Sequence, residues 1–447
     1  MVTVVACAGC VGDGGLAAGA STAWFLVVGR FSASFLLFSF LSLLLVFHGA
    51  YAILPLVASG LALLCVFFWI VNRDSRWRLD REDGVFLLAL LVFAAVWLGD
   101  VWRTGVWPVS EGNQGLWLPL WPVLAALVMV AWRQVPPRPG FWWWGVAFGA
   151  LLAGGIAAYE HWWLGRWRVG NGINAIPFGN LALLLGSLSL AGLLSLSSAR
   201  NGLRLALALA TVGGLLASVL SGTRGGWVVF PVLVLILLFA FRATGHRWGR
   251  FRGSMVGLVA VLVAVLLAMS LMPGAPVKGR LSQGVANLQE YAGGDAGSSL
   301  GVRLEMWRAG WQLITLRPGL GWGEGRLEAQ RDLWVEEGRF HSGISRYDQL
   351  HSDLVDTFAR RGVPGLLSLM ALYGVPLWLF WRYCRRSGDE QARALALCGV
   401  LIVVGFVGFG LSQSMLRDVR GLSGYLGLIV GCWCLLKGRR SSVPGGG

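Results

Sequence analysis

Residues 205–241 read LALALATVGGLLASVLSGTRGGWVVFPVLVLILLFAF, two apolar runs separated by Ser221-Gly222-Thr223-Arg224-Gly225-Gly226. Neither run carries a polar face, and a helix that is apolar all round belongs either in a large core or in a bilayer. The composition decides between them. Of 447 residues 56% are hydrophobic and only 13% charged, whereas a soluble domain runs near ~25% charged because it has a surface to solvate. The mean hydropathy is +0.66. The bilayer is therefore the main solvent, and the stretch reads as two membrane helices joined by a turn at one membrane face.

Outward from this pair, apolar windows that approach a ~30 Å hydrocarbon core fall at 31–49, 51–72, 84–101, 116–132, 141–158 and 178–195 on one side. Windows at 254–272, 363–382, 395–412 and 422–436 follow on the other. Together with 205–220 and 227–241 they predict an all-α polytopic membrane protein with about twelve transmembrane helices. No Lys or Arg precedes residue 30, so residues 1–22 lack the charged start of a signal peptide and are read as a flexible Gly/Ala-rich leader. Residues 23–272 then hold helices one to nine, 363–436 helices ten to twelve, and 437–447 a tail. An even number of spans puts both termini on one side. Basic residues crowd the segments 73–83, 133–140, 196–204, 242–253, 382–393 and the tail, whereas the short opposite segments carry only Arg103, Arg166, Arg168, Arg224, Arg417 and Arg420. The positive-inside bias therefore predicts cytoplasmic termini. Trp142, Trp143, Trp144, Trp162, Trp163 and Trp167 suit interfacial belts. No internal repeat relates the two halves.

One segment departs from this pattern of tight turns. Residues 273–362 form a polar external loop in which acidic and basic side chains balance. Its first part, with Gly293, Gly294 and Gly297, is expected to be flexible. Ser298 or Ser299 then caps a helix from about Arg303 to Leu316, where Leu304, Trp307, Trp311 and Ile314 recur at helical spacing. Pro318 and the glycines 319, 321, 323 and 325 end it, and further helices are expected over Glu324–Glu337 and from near Gln349 to Arg361. Gly-x-Gly-x-Gly here is no dinucleotide fingerprint, because no strand precedes it. The loop is read as a helical cap.

The formal charge of +15 rests almost wholly on arginine, since lysine occurs only at 278 and 437. These arginines are scattered between apolar runs, which excludes a nucleic-acid face. Seven cysteines lie in apolar or cytoplasmic segments or near the N-terminus, so no disulfide framework is expected. Cys7 and Cys10 form a CxxC without partners at zinc spacing. No carboxylate pair is convincing enough to hold a divalent ion.

Chemistry-bearing residues gather on the external side. Arg224 sits at membrane depth, where a charge costs on the order of 2.5–3.5 kcal/mol. It reads either as a snorkelling interfacial arginine or as a phosphate clamp, since neighbouring glycines let backbone amides approach an anion. Arg303, in the first turn of its helix, opposes the macrodipole and calls for an acidic partner or ligand. His161, His341 and His351 face the same side. His351, in Leu350-His-Ser-Asp-Leu-Val-Asp356, reads as a capping residue or as a general base for a sugar hydroxyl. His341 with His351 lacks a third metal ligand. Charges gathered at the rim rather than the midplane disfavour a transporter.

Taken together, Ser221-Gly-Thr-Arg-Gly-Gly-Trp227, Arg303-Leu-Glu-Met-Trp307 with Gly319-Leu-Gly-Trp-Gly323, and His351-Ser-Asp-Leu354 with Gly362-Val-Pro-Gly-Leu366 resemble the O-antigen ligase and polymerase superfamily of polytopic inner-membrane proteins. The likeness covers roughly residues 170–370. It implies a GT-C-like fold with a periplasmic cap, and an inverting, metal-independent, cofactor-free glycosyltransferase. Such an enzyme would move polysaccharide from undecaprenyl diphosphate to a hydroxyl of lipid A-core oligosaccharide at the periplasmic face of the bacterial inner membrane. Carried onto this chain, Arg224 and Arg303 would hold the donor diphosphate and His351 would deprotonate the acceptor. Arg168, in Arg168-Val-Gly-Asn-Gly-Ile-Asn174, looks like part of a family segment and would join donor binding. His351 is followed by Ser352 where many relatives carry Asn, and His341 stands as a second candidate base. An O-antigen polymerase or a protein O-oligosaccharyltransferase would use the same kind of donor.

Overall fold

The computed structural model describes residues 13–71, 79–109, 117–243, 286, 287, 289–293 and 295–440. Among these residues the chain is helical, with no strand. Eight helices precede the polar loop: α1 (Asp13–Leu43), α2 (Ala50–Val71), α3 (Arg81–Thr104), α4 (Trp121–Gln134), α5 (Pro139–Ala158), α6 (Ala175–Ser195), α7 (Asn201–Ser221) and α8 (Arg224–Ala243). The loop contributes α9 (Ser299–Leu316) and α10 (Arg326–Glu336), and α11 (Asp353–Arg386), α12 (Glu390–Gly410) and α13 (Val419–Arg440) complete the bundle. Eleven of the twelve apolar windows are thus helices; the ninth, 254–272, lies outside the described residues. Among the described residues nine helices are long and apolar enough to cross a membrane, and α4 and α8 are shorter apolar helices. Helix α1 begins at Asp13, inside the stretch 1–22 read as a leader; Ala17, Ala18 and Ala20 are strong helix formers and extend it toward the N-terminus.

The bundle centres on α6 and α13, whose apolar windows are 83% and 94% buried. Lipid offers no hydrophobic drive for helices to associate, so close van der Waals approach must hold them. Glycine permits it: a Cβ on Gly154 of α5 would stand 2.6 Å from Gly213 Cα of α7, and one on Gly186 of α6 would stand 3.2 Å from Gly214 Cα. At the end bearing the basic tail, the buried Asp83 carboxylate accepts from Arg133 Nε at 2.9 Å and from Trp433 Nε1 at 2.8 Å. Lys437 pairs with Asp80 and, at 2.7 Å, with Glu82. These contacts join α3, α4 and α13 through groups that would be costly to leave unpaired in lipid.

Helix α9 begins where the capping serines predict. Ser298 caps α9 by accepting from the Gly301 N–H at 3.1 Å, and Met306, Leu313 and Ile314 bury against Trp322, Leu327 and Leu350 in a separate small core. The glycine run has a geometric reason. Gly321 adopts φ +67° and lies so close to the Arg360 backbone that any Cβ would collide with it. This approach lets Trp322 N–H reach Ala359 O at 2.9 Å and Gly323 N–H reach Arg360 O at 2.8 Å. Gly362, at φ +58°, interrupts α11 and abuts the Gly319 carbonyl. Gly362 thus divides α11 into Asp353–Arg361, on the cap side of the break, and a longer run from Val363.

Candidate active site

The α7–α8 junction is built by its own small residues. Gly222 ends α7 in the left-handed region at φ +69°, where a Cβ would be strained. Ser221 Oγ donates to Ser218 O at 2.7 Å and Thr223 Oγ1 donates to Ala175 O at 3.0 Å, which fastens the turn to the start of α6. Arg224 then opens α8; its side chain lies outside the described residues. Its neighbour Gly225 packs directly on Ser412, in the loop between α12 and α13.

A second strand of chain reaches the same junction. After α5 a single π turn, Tyr159–Trp163, places the buried Glu160 carboxylate under the next loop. There it accepts from Gly170 N–H at 2.9 Å and Asn171 N–H at 3.0 Å, and pairs with Arg166. Asn171 adopts φ +52° and ties the loop to the end of α1 through Leu45 O and Val46 O. Held this way, Arg168 donates from Nε to Ser221 O at 3.2 Å and lies within electrostatic range of Tyr347.

Tyr347 leads to His351, whose ring it meets edge-on at 4.8 Å between centroids. His351 is 6% exposed and holds φ +50°, one of two non-glycine residues with positive φ among the described residues. Such backbone strain persists only where surrounding contacts impose it, and it concentrates at functional sites. The contacts are visible. His351 Nδ1 lies 2.6 Å from Gln413 Oε1, Ser352 N–H donates to Ser414 Oγ at 3.1 Å, and Leu416 N–H donates to Asp353 Oδ1 at 2.9 Å. Because an amide oxygen only accepts, Nδ1 carries the proton and Nε2 keeps its lone pair. Burial and then the Arg303 charge lower the imidazole to about 4, against the Gln413 bond and Asp356, which pull it upward. His351 is therefore neutral near pH 7.

Arg168, the backbone at Arg224, Arg303 and His351 thus meet at one end of the bundle. His341 does not share their arrangement. Its Nδ1 accepts from Gly343 N–H at 3.0 Å and caps the short turn Ser342–Arg346, while its own N–H reaches Glu305 at 3.4 Å. Glu305 and Arg303 are two positions apart on α9, and such residues do not face one another on a helix. His161 Nδ1 lies 3.1 Å from Arg166 O.

Sequence reasoning missed the groups that hold this corner. Gln413 is one. The others form a buried ion network in which Glu324 receives Arg417 at 2.6 Å, Arg361 at 2.8 Å and Arg360 at 2.9 Å. Arg360 also meets Glu328 at 2.6 Å and Asp356 at 3.0 Å, and Arg103 meets Asp100 at 2.7 Å. Burial pushes the Glu324 carboxyl up, but Arg360, Arg417 and Arg361 outweigh it and hold it down at about 2. A carboxylate flanked by glycines, Gly323-Glu324-Gly325, was the available signal: glycines let backbone and charge enter a tight space. Among the described residues no group of three or more His, Cys, Asp or Glu side chains comes together to hold a metal ion.

Residues 209–370 match the family model described as O-antigen ligase, a stretch that includes Arg224, Arg303, His341 and His351 and leaves Arg168 and Gln413 outside. An uncharacterized protein of Haemophilus influenzae is 20% identical over 387 residues, which cover 86% of this chain and 92% of the relative. An O-antigen ligase of Escherichia coli is 25% identical over 196 residues, 43% of each chain, so less than half of that relative is spanned. The family match supports a role in lipid-linked glycan transfer. Through residues 209–370, the chain is similar to the O-antigen ligase family.

Proposed function

We propose that this protein is an O-antigen ligase. It would move a polysaccharide from undecaprenyl diphosphate to a sugar hydroxyl of lipid A-core oligosaccharide, at the periplasmic face of the inner membrane. The observation that carries the reading is the neutral, buried His351 held by Gln413 beside the charge of Arg303, with Arg168 and the N-terminus of α8 close by.

The division of labour follows from the chemistry of each group. His351 Nε2 takes the proton of the acceptor hydroxyl as that oxygen attacks the anomeric carbon, and general-base help of this kind is worth ~10²–10⁴ in rate. The carbon inverts, and undecaprenyl diphosphate departs. Arg303, Arg168 and Arg224 offset the charge on the departing diphosphate, since guanidiniums bind phosphate in forked pairs and stay protonated. Preorganised charge of this sort needs no reorganisation as the bond breaks. An incoming diphosphate also counters the Arg303 field at His351, so the base strengthens as the donor arrives.

The test is the polysaccharide pattern of cells lacking the gene. The ligase reading expects uncapped lipid A-core with polymer retained on its lipid carrier. Core bearing only single repeat units would instead identify a polymerase, and an unchanged ladder would overturn both.

A further inference from the structure

The cap carries an apolar edge that neither its own core nor the site absorbs. From Thr315 to Leu320 every residue is exposed, with Leu316 at 60% and Leu320 at 63%. A leucine pair left open on a polar cap needs an apolar neighbour, and the height of this edge in the fold identifies one. Val363 N–H donates to Pro318 O at 2.9 Å and to Gly319 O at 3.1 Å, and Val363 is where the longer run of α11 begins. On the other flank Arg103 Nη1 donates to Gly321 O at 3.1 Å, and Arg103 is next to the last residue of the span α3. Two helices long and apolar enough to cross a membrane, α3 and α11, thus meet this turn.

The surfaces beside the turn are lipid-facing in character. Trp102, beside Arg103, is 90% exposed, and Leu367 and Met370 continue the outward face of α11. Tryptophan prefers the headgroup level. Arg317, which lies over the Trp322 ring at 4.1 Å, is exposed beside the leucines and suits a lipid phosphate. We infer that the tip Leu316-Arg317-Pro318-Gly319-Leu320, together with Trp102, inserts into the interface of the adjoining leaflet as a lipid-seated wedge. The cap is then anchored in the bilayer as well as to the bundle, independently of which glycan the site transfers.

The experiment uses the full chain with Cys7, Cys10 and Cys384 replaced by Ser, since the cysteines at 65, 398, 432 and 434 are buried. A nitroxide is attached at Leu320→Cys and the protein placed in nanodiscs of phosphatidylethanolamine and phosphatidylglycerol. Leu367→Cys serves as the lipid reference and Glu336→Cys as the aqueous one, with each variant first checked for monodispersity and helical content. The wedge predicts a several-fold higher ratio of oxygen to nickel-chelate accessibility at position 320 than at 336, close to that at 367. A position-320 label as open to the chelate as the one at 336 overturns the inference. So does a label shielded from both reagents, which would mean that a second copy of the chain covers the tip.

Discussion

His341 and His351 lie on one stretch of the cap, and the fold treats them in opposite ways. His341 sits on extended backbone at φ −66° and spends Nδ1 on the Gly343 N–H two residues on. With Nδ1 accepting, Nε2 is the ring nitrogen left to carry a proton. His351 is buried, strained to φ +50°, and gives its Nδ1 proton to Gln413, a residue from the far end of the chain. Its Nε2 is left with the lone pair. The same side chain is a cap in one place and, in the proposed reading, a poised base in the other. The difference lies in whether the partner is a local amide or a distant carbonyl.

The largest effect should come from the rings themselves. Under the proposed reading, His351→Ala lowers transfer by ~10²–10⁴, measured with purified donor and acceptor in detergent, while His341→Ala keeps transfer within about tenfold; comparable losses in both would erase the contrast. Next comes the ion network, because Arg417 follows closely on Gln413 and Ser414. Glu324→Ala leaves buried guanidiniums without their shared carboxylate and should destabilise the protein by about 3–5 kcal/mol. The readout is thermal unfolding, and an unshifted midpoint would remove the network from the account.

The pH response sharpens the comparison further. His351 is depressed from its ordinary value of 6.5 to about 4, so below pH 6.5 the unfolded chain binds the proton that the native state refuses. The stability linked to His351 is complete above about pH 6.5 and is lost as pH falls toward 4, at most about 3 kcal/mol. His351→Phe should flatten that acid slope relative to wild type, and His341→Phe should leave it in place. The smallest effect is expected from Gln413→Ala. Loss of one buried hydrogen bond costs about 1–2 kcal/mol, roughly tenfold in rate, and should lower kcat with donor affinity kept.

Much of this architecture is legible in the sequence because its causes are local or periodic. Apolar windows mark the helices, Ser298 marks the start of α9, and Gly362 marks the break before the tenth window. Arg168, Arg224, Arg303 and His351 were all readable as motifs, and the geometry adds how Arg168 reaches the α7–α8 turn, through Ser221. The remainder depends on contacts between distant segments. Gln413 stands in the short turn between two apolar windows, Ser412-Gln413-Ser414, with no periodic signal of its own, and only folding brings it to His351. Glycines 319–325 read as a loop; the reason for them, a backbone seam against Arg360 and Gly362, appears only once both segments are in place. The early start of α1 reflects alanine propensity in a stretch whose glycines had suggested flexibility.

The most direct test of the division between base and diphosphate clamp is donor binding by the single variants. Affinity for undecaprenyl-diphosphate-linked glycan would be measured for His351→Ala, Arg303→Ala and Arg168→Ala in nanodiscs, beside transfer by each. The account predicts that His351→Ala binds donor like the wild type while transfer collapses, and that both arginine variants bind more weakly. Equal loss of donor affinity in all three, or full transfer by His351→Ala, would contradict it.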